Sequence, residues 1–353
     1  MSNSSIRARQ PWRRANISTS IQIVLASVIP LPLVMLLALL AGLDLTMSFI
    51  TLFVPLQLIV SSFVGYRAFG RRGIGDAILV VLTIFFSTFV LILLLSVLYS
   101  VITEGAKAIS FQFIGQNNVY VSPTTSLEYG GVGHAILGTL IVVLLTTLAA
   151  VPLGVAMAIY LTQSQSKTRN LVRTFTQALS GLPSVVSGLF ILSIIEATQM
   201  GRSGITGSLA LFPLMLPTVA RVAEEALRLV PVDLRYAALA LGAPNYRAFF
   251  QVILPAAKSG LLTALLLGLA RVVGETAPLI LTMNPSSGTN LNPFDGGMTT
   301  LPTYIYNYLA SSYQTSQARA WGAALVLLMV VGILFALARI LGKSKSKKSK
   351  ATK

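Results

Sequence analysis

Residues 225–255 read EALRLVPVDLRYAALALGAPNYRAFFQVILP, a charged interruption in a sequence that is otherwise typical of a membrane protein. It contains Arg228, Asp233, Arg235 and Arg247, at spacings that a helix can accommodate. Pro231 and Pro244 predict two internal breaks, because a proline inside a helix removes a backbone hydrogen bond and kinks or ends the helix. A segment this long and regular between two apolar spans is more typical of a docking surface than of a linker, so we expect another protein to bind here.

The composition predicts an all-α, polytopic helical membrane protein. Hydrophobic residues make up 54% of the chain, charged residues 10%, and the mean hydropathy is +0.79. A soluble domain carries about 25% charged residues, whereas apolar runs of about 20 residues can cross a hydrocarbon core of about 30 Å as helices. The sequence predicts eight such spans: 21–42, 46–66, 77–101, 133–162, 174–196, 204–220, 259–283 and 321–341.

Basic residues are distributed unevenly along the chain. The formal net charge is +16, and most of the 26 lysines and arginines fall near the two termini or after the second, fourth and sixth predicted spans. This asymmetry follows the positive-inside rule and predicts that both termini are cytoplasmic. It also predicts attraction to anionic membrane lipid. The basic run at 343–353 is expected to be a disordered tail and not a nucleic-acid-binding segment.

The predicted spans and loops divide the chain into parts. A polar leader precedes an extra transmembrane hairpin, and the main transmembrane domain then contains a long charged loop and ends at the basic tail. The predicted boundaries are 1–20 for the leader, 21–75 for the hairpin, 76–342 for the domain, 221–258 for the loop and 343–353 for the tail. Two further segments are predicted to be external: 102–132, expected to be strand or loop, and 284–320, whose tyrosines suit a short interfacial helix.

Two opposite charges lie within the seventh predicted span. Arg271 and Glu275 are four residues apart, which places both on one helix face, where each can partly neutralise the other. A lone charge at mid-bilayer costs about 2.5–3.5 kcal/mol on insertion scales, so such residues usually face a bundle interior or a water-filled cavity. The pair is either a structural ion pair or part of a pathway. Gly274 and Pro278 favour a local break, where freed backbone groups can face a pore.

A second pair of opposite charges, Arg221 and Glu224, is expected where the sixth span meets the charged loop. Arg221 is either a positive-inside anchor or a functional residue. In the functional interpretation, Arg221 and Arg271 offer guanidinium groups to a tetrahedral oxyanion, because the planar donors of arginine bind phosphate-like oxygens bidentately. The neighbouring carboxylates then moderate the affinity, so that the anion can be released.

Several catalytic and cofactor-binding patterns are missing. The chain has one histidine, His134, and no cysteine, so the usual ligands cannot build a zinc or thiolate site. It also lacks the G-x-x-x-x-G-K-[ST] phosphate loop and does not bind ATP by that route. The small residues of 181–188 serve either close helix contact or a pathway. The sequence therefore predicts no metal site, no cofactor in this chain and no enzymatic activity.

From about residue 75 to residue 341 the chain resembles the PstA-type permease subunits of bacterial phosphate ABC importers. Six motifs carry the resemblance: the charged segment 225–255, GGVGHAILGTL at 130–140, GLPSVVSGLF at 181–190, LPTVARVAEEALRLVP at 216–231, ARVVGETAPLILT at 270–282 and LPTYIY at 301–306. They occur in the expected order. GETAP separates this branch from the sulfate, molybdate and amino-acid permeases that share the charged segment.

The resemblance implies a type I core of six helices, formed by the third to eighth spans, with the N-terminal hairpin as an addition. It also implies a bacterial inner-membrane protein that transports phosphate by alternating access. Its partners would be a homologous permease subunit, two ATP-binding subunits and a periplasmic phosphate-binding protein, and those partners would bind the ATP. Arg221, Glu224 and Arg271 fall where the family places charges implicated in phosphate translocation, and Glu275 joins them as the partner of Arg271.

By the same resemblance, the charged segment corresponds to the coupling loop that contacts the ATP-binding subunits. The residues that match its motif are Tyr236, Ala237, Ala238, Gly242, Leu254 and Pro255. Tyr236 is a departure, because the loop usually opens Glu-Ala-Ala. Asp233 or Arg235 is the alternative source of charge at that contact.

Three other functions stay open from the sequence. A permease for another oxyanion, such as phosphonate or molybdate, would share the architecture. An ion-gradient-driven secondary transporter would use Arg271 and Glu275 without an ATP-binding partner, and the coupling loop argues against it. A membrane-embedded phosphatase or acyltransferase would need a nucleophile with a base, or metal ligands, and none is apparent.

Overall fold

The computed structural model describes residues 26, 28–42 and 49–342. All regular secondary structure within these residues is helical, which confirms the all-α prediction. The predicted leader and basic tail lie outside the described residues, as does part of the first predicted span. The chain divides into two compact units, with the boundary between Leu98 and Tyr99.

The first compact unit consists of apolar helices. Its described elements are α1 (Pro30–Ala41), a π-helical turn (Phe49–Phe53), α2 (Val54–Phe69) and the greater part of α3 (Arg71–Ala106). α1 begins at a proline because the first helical turn tolerates the missing N–H. With 12 residues, α1 is about 18 Å long, which is short of a hydrocarbon core of about 30 Å. Most side chains of α3 are exposed within this chain, whereas most of those of α2 are half-buried.

The second compact unit is organised around one helix, α8. After the end of α3, its elements are α4 (Phe111–Gly115), α5 (Gly133–Gln163), α6 (Thr168–Ser180), α7 (Ser184–Thr198), α8 (Gly204–Arg228), α9 (Val232–Ala240), α10 (Asn245–Ala256), α11 (Lys258–Val272), α12 (Ala277–Thr282), α13 (Leu301–Leu309) and α14 (Gln314–Gly342). α8 packs against α5, α6, α7, α11 and α12. Val142, Leu211, Met215 and Val219 belong to the apolar core that these helices share.

Five helices among the described residues are long and apolar enough to cross a membrane: Thr51–Phe69, which joins the π-helical turn to α2, and α3, α5, α8 and α14. They correspond to the second, third, fourth, sixth and eighth predicted spans. The fifth predicted span is a bent pair, α6 and α7, whose axes differ by 103°. Gly181 ends α6 and Pro183 precedes α7 in extended conformation, so the helix cannot continue between them. Counting this pair, and the pair α10 and α11 with its 64° bend, gives up to seven spans.

The seventh predicted span, 259–283, is interrupted. α11 ends at Val272 and α12 begins at Ala277. Gly274 lies in the gap, and Pro278 occupies the first turn of α12, where its missing N–H leaves no helical hydrogen bond unmade. The prediction of a local break at Gly274 and Pro278 is therefore confirmed.

Glycines allow the core helices to approach closely at defined points. A Cβ atom on Gly188 of α7 would lie 2.7 Å from Pro278 Cα in α12. One on Gly268 of α11 would lie 2.7 Å from Val219 Cγ2 in α8. Both distances are below van der Waals contact, so a side chain at either glycine would force the helices apart. Of the two roles left open for 181–188, Gly188 serves close helix contact.

The predicted external segments contain little regular structure. Residues 102–132 hold the end of α3, the short α4 and turns, and no strand forms in this described segment. Within 284–320 the expected short helix is present as α13. Its Tyr304 is 1% exposed, and the phenol oxygen accepts a hydrogen bond from Asn118 Nδ2 at 2.8 Å. Burial raises the pKa of the Tyr304 phenol. The interfacial placement expected of these tyrosines therefore does not apply to Tyr304, which packs inside the protein.

Arg319, in the second turn of α14, is wholly buried. Its Nη2 atom donates to the backbone carbonyl oxygens of Thr125, Ser126 and Tyr129, at distances of 2.8 to 3.0 Å. A residue that the sequence places in an exposed external loop thus attaches α14 to the segment between α4 and α5.

Candidate functional site

Arg271 and Glu275 form an ion pair at the break between α11 and α12. Nη1 of Arg271, in the last turn of α11, donates to a carboxylate oxygen of Glu275. Glu275 lies beyond the helix end, in a turn closed by its own N–H to the Val272 carbonyl at 3.2 Å. The predicted pair is confirmed, although the two residues do not share a continuous helix. The Arg271 side chain is 46% exposed and that of Glu275 13% exposed, so the cation is the accessible member.

Glu224 is held by two arginines, and neither is the predicted partner. Nη2 of Arg173 in α6 lies 2.9 Å from Glu224 Oε1, and Nη2 of Arg228 in α8 lies 2.6 Å from the same oxygen. Arg221 instead places Nε 3.5 Å from Glu225 Oε1, one helical turn along α8. The predicted Arg221–Glu224 pair is therefore wrong. The physical reason is that Glu224 faces α6, whereas the spacing of four residues between Arg221 and Glu225 brings those two side chains together on the exposed face.

Arg173 is the site residue that sequence reasoning missed. Arg173 lies in α6, the first half of the bent pair. From the sequence, the basic residues after the fourth predicted span indicate membrane topology alone. The charge-assisted contact of Arg173 connects α6 to the central helix across 51 residues of sequence. The amphipathic pattern of 168–180, with exposed Leu171 and Phe175 opposite Arg173, was the available signal that this helix has an inward polar face.

The two arginines predicted to receive an oxyanion lie on neighbouring helices. Two close contacts show that α11 runs antiparallel to α8: Gly268 with Val219, and Gly260 with Ala226. In this register Arg271 is five to six residues from the level of Arg221, which corresponds to about 8 Å along the helix axes. The Arg221 side chain is 74% exposed and that of Arg271 46% exposed. Both guanidinium groups are thus accessible to a small anion.

The predicted charged loop 221–258 is helical over most of its length. Its first eight residues continue α8, and α9 and α10 follow. Pro231 and Pro244 each immediately precede a helix, so the two predicted breaks are confirmed. Gly242 ends the α9 turn at φ +83°, with its N–H donating to the Leu239 carbonyl at 2.9 Å. A positive φ of this size favours glycine, because other residues meet a steric penalty there.

The residues matched to the coupling motif differ in accessibility. Tyr236, Ala237, Gly242 and Pro255 are exposed, whereas Ala238 is buried and Leu254 packs against the apolar core. Large apolar side chains accompany the exposed members: Leu229, Val232, Leu234 and Leu241. Exposed apolar residues grouped in this way indicate a surface that interacts with another protein or with the membrane.

The described residues contain no group of three or more histidine, aspartate or glutamate side chains that could hold a metal ion. His134, the single histidine of the chain, lies buried in the first turn of α5. Its ring centroid is 5.7 Å from that of Tyr304, in an edge-to-face arrangement. The charged side chains at the site are arginines and glutamates.

Comparison with known proteins relates this chain to membrane transport. The family described as binding-protein-dependent transport system inner membrane component matches residues 150–347. The chain is 40% identical over 269 residues to the phosphate transport system permease protein PstA 1 of Mycobacterium tuberculosis strain H37Rv, covering 75% of this chain and 86% of the relative. It is 34% identical over 253 residues to PstA of Pasteurella multocida, covering 71% of this chain and 88% of the relative.

Among solved structures, the chain is similar to an inward-facing form of the MetNI methionine ABC transporter. The TM-score is 0.44 at 21% identity, covering 60% of this chain and 91% of that chain. A crystal structure of an amino acid ABC transporter with histidines gives a TM-score of 0.44 at 18% identity, covering 59% and 89%.

Proposed function

The chain belongs to the binding-protein-dependent transport system inner membrane component family, and on that premise we propose that it forms part of the pathway of an ATP-driven importer of inorganic phosphate. It is a multi-pass permease subunit and not an enzyme, and the relatives that it matches are named as permease proteins. The assignment of phosphate as the substrate is based on those relatives, which are named as phosphate transport system permease proteins and are 34% to 42% identical to this chain.

The observation that carries the proposal is the pair of accessible guanidinium groups on α8 and α11. The side chains of Arg221 and Arg271 are 74% and 46% exposed, whereas those of Glu224 and Glu275 are 15% and 13% exposed. Phosphate at neutral pH is an anion with several acceptor oxygens, and arginine binds such oxygens through paired N–H donors. In this proposal each arginine contacts the phosphate at a different stage of its passage.

Glu275 has a specific part in this proposal. Its carboxylate occupies the Arg271 guanidinium while no phosphate is bound. An arriving phosphate exchanges with that carboxylate, so the net gain in binding free energy is smaller than for an unpaired arginine. A transport site needs this restraint, because a ligand bound too tightly in one conformation is not released in the other.

The partners and energy source belong to the proposal as well. Two ATP-binding subunits would contact the turn around Tyr236 and Gly242, where exposed apolar side chains support a docking surface. A homologous permease chain would complete the pathway, and a periplasmic phosphate-binding protein would deliver the substrate. ATP is bound by those subunits and not by this chain. The membrane is the bacterial inner membrane, with both termini in the cytoplasm, as the distribution of basic residues supports.

The test is uptake of radiolabelled phosphate into vesicles that contain this chain with its co-encoded permease, ATP-binding and binding-protein partners. Uptake is measured with and without ATP, beside the Arg271→Ala variant. We expect ATP-dependent uptake that the variant loses while the complex still assembles. Unlabelled phosphonate, molybdate and sulfate serve as competitors.

Each result bears on a different part of the proposal. Competition by another oxyanion that exceeds competition by phosphate would change the substrate and keep the architecture. If uptake does not depend on ATP and is abolished by an ionophore, the chain is part of an ion-coupled transporter and the proposal is wrong.

A further inference from the structure

A second cluster of arginines lies away from Arg221 and Arg271, at the junction of α5, α6, α8 and α9. Arg169, Arg228 and Arg235 line one cavity of about 250 Å³, together with Gln163 at the end of α5. Gln163 and Arg235 are 72 residues apart in the sequence, and the fold brings them together. Among the described residues that line the cavity, none is a carboxylate.

The cavity contains more cationic charge than its protein partners offset. Arg235 is bound only by neutral groups, with Nη1 3.0 Å from Gln163 Oε1 and Nη2 3.4 Å from Asn245 Oδ1. Arg228 reaches Glu224, whose carboxylate is shared with an arginine outside the cavity.

Arg169 has the least compensation of the three. Its Nε atom is buried and makes no hydrogen bond, and its guanidinium has no ion pair within the described residues. A buried donor without an acceptor is unfavourable, and a phosphate oxygen that enters the cavity would supply the acceptor that Nε lacks.

The size of the cavity restricts the ligand. Pockets for drug-sized molecules begin at about 300 Å³, so a cavity of about 250 Å³ admits a small oxyanion or the phosphate group of a lipid but not a nucleotide. Three arginines from different helices suit a tetrahedral phosphate, because each guanidinium can donate to a different oxygen.

We infer that this cavity is a binding site for a phosphate group and that the bound phosphate links α9, the helix of the proposed docking surface, to α6 and α8. The cavity contains neither Arg221 nor Arg271, and its Arg228 is paired with Glu224. The occupant is inorganic phosphate or the headgroup of an anionic phospholipid. A phosphate held by Arg169, Arg228 and Arg235 joins α6, α8 and α9 and holds the docking helix in one position. Its placement on the cytoplasmic side rests on the proposed function, whereas the binding site itself does not.

The test uses the complex of both permease chains and both ATP-binding subunits in nanodiscs, without the binding protein and without nucleotide. All samples carry Arg271→Ala, so that the transport site contributes little. One arm measures binding of radiolabelled inorganic phosphate in phosphatidylcholine nanodiscs. The other arm measures, by native mass spectrometry, the phosphatidylglycerol retained from mixed membranes. Arg169→Gln is compared with Lys167→Gln, which removes the same charge two residues away from an exposed position outside the cavity.

We expect Arg169→Gln to weaken binding in one of the two arms by about tenfold, because one charge-assisted contact is lost, and Lys167→Gln to change neither. A response in the phosphate arm identifies inorganic phosphate, and a response in the lipid arm identifies the headgroup. If both arms are the same for Arg169→Gln and Lys167→Gln, or if neither ligand binds saturably, the site does not exist.

Folding and transport are followed separately. Size-exclusion profiles of the two variants establish assembly, and Arg169→Lys, which keeps the charge, should recover part of the binding. The uptake assay with Arg271 intact tests the importer on its own. If the importer transports phosphate but Arg169→Gln leaves phosphate and lipid binding at the cavity unchanged, this inference is wrong and the proposed function stands.

Discussion

Arg173 and Glu224 meet at 2.9 Å although they are 51 residues apart in the sequence. The contact attaches α6, the first half of a span bent by 103°, to the central helix α8. Only 15% of the Glu224 side chain is exposed, so the carboxylate is largely removed from water. Glu224 therefore anchors one helix to another, in addition to the role in translocation proposed for it.

The Arg173–Glu224 pair should be energetically coupled, and the Arg221–Glu225 pair should not. A double-mutant cycle with Arg173→Gln and Glu224→Gln is expected to give about 1 kcal/mol, because the carboxylate is mostly buried. The same cycle at Arg221 and Glu225, whose side chains are 74% and 63% exposed, is expected to give no more than about 0.5 kcal/mol. Thermal unfolding of the reconstituted complex provides the free energies. Equal coupling in the two cycles would contradict the assignment of Glu224 as an anchor.

Arg271→Ala should abolish phosphate uptake while the complex still assembles. Arg271→Lys should retain part of the activity, because lysine keeps the charge but loses the planar set of donors. Lys107→Ala is the matched control, since Lys107 is an exposed cation paired with Glu104 on a different part of the chain. If the alanine variant is missing from the membrane, the Arg271–Glu275 pair is structural and the pathway assignment fails.

Gly242→Trp should separate ATP hydrolysis from phosphate uptake. Apart from its chain neighbours, no described atom lies within 4 Å of a Cβ added at Gly242, so a side chain there starts in open space, and we expect the indole to project toward a partner. Gly242→Ala is the control, because it meets the same backbone penalty of about 1–2 kcal/mol at positive φ without the bulk. The measurement is the number of ATP molecules hydrolysed per phosphate imported. A normal ratio in the tryptophan variant would remove Gly242 from the docking surface.

Gly188→Ala should destabilise the bundle even though it adds a single methyl group. The added Cβ would lie 2.7 Å from Pro278 Cα, and overpacking of a core costs typically about 1–3 kcal/mol. Gly332→Ala in α14 is the comparison, since no described atom lies within 4 Å of its added Cβ; alanine there should be neutral or stabilising. Melting temperatures in detergent distinguish the two. Similar melting temperatures would show that α7 and α12 can separate without cost.

The class of protein and the breaks in its helices follow from local properties of the sequence. Apolar length identifies the spans, and helices end near Pro231, Pro244 and Gly274, whereas Pro213 and Pro217 lie inside α8 without ending it. Gly181 and Pro183 likewise indicate the bend in the fifth span, but the predicted apolar span 174–196 includes both residues, and hydropathy alone does not show a bend. α8 continues eight residues beyond the predicted span 204–220, because hydropathy decreases where a helix enters water even though its hydrogen bonds continue.

The contacts between distant residues did not follow from the sequence. The i, i+3 spacing of Arg221 and Glu224 permits an ion pair, but the rotation of α8 turns Glu224 toward α6. The burial of Arg319 depends on three backbone carbonyls of a turn whose position only the fold determines. Charge pairing along one helix can be proposed from spacing, whereas pairing between helices requires their packing.

The break after α11 has a consequence for how the chain enters the membrane during synthesis. α11 has 15 residues and so is about 22 Å long, and it ends with a cation next to an unwound segment. A segment this short and charged inserts poorly when it leaves the translocon alone. α8, which closely contacts α11 at Gly268, is synthesised first and offers the surface that α11 needs. We therefore expect α11 to insert into the bilayer while packed against α8, so that biogenesis depends on the order of the helices in the chain.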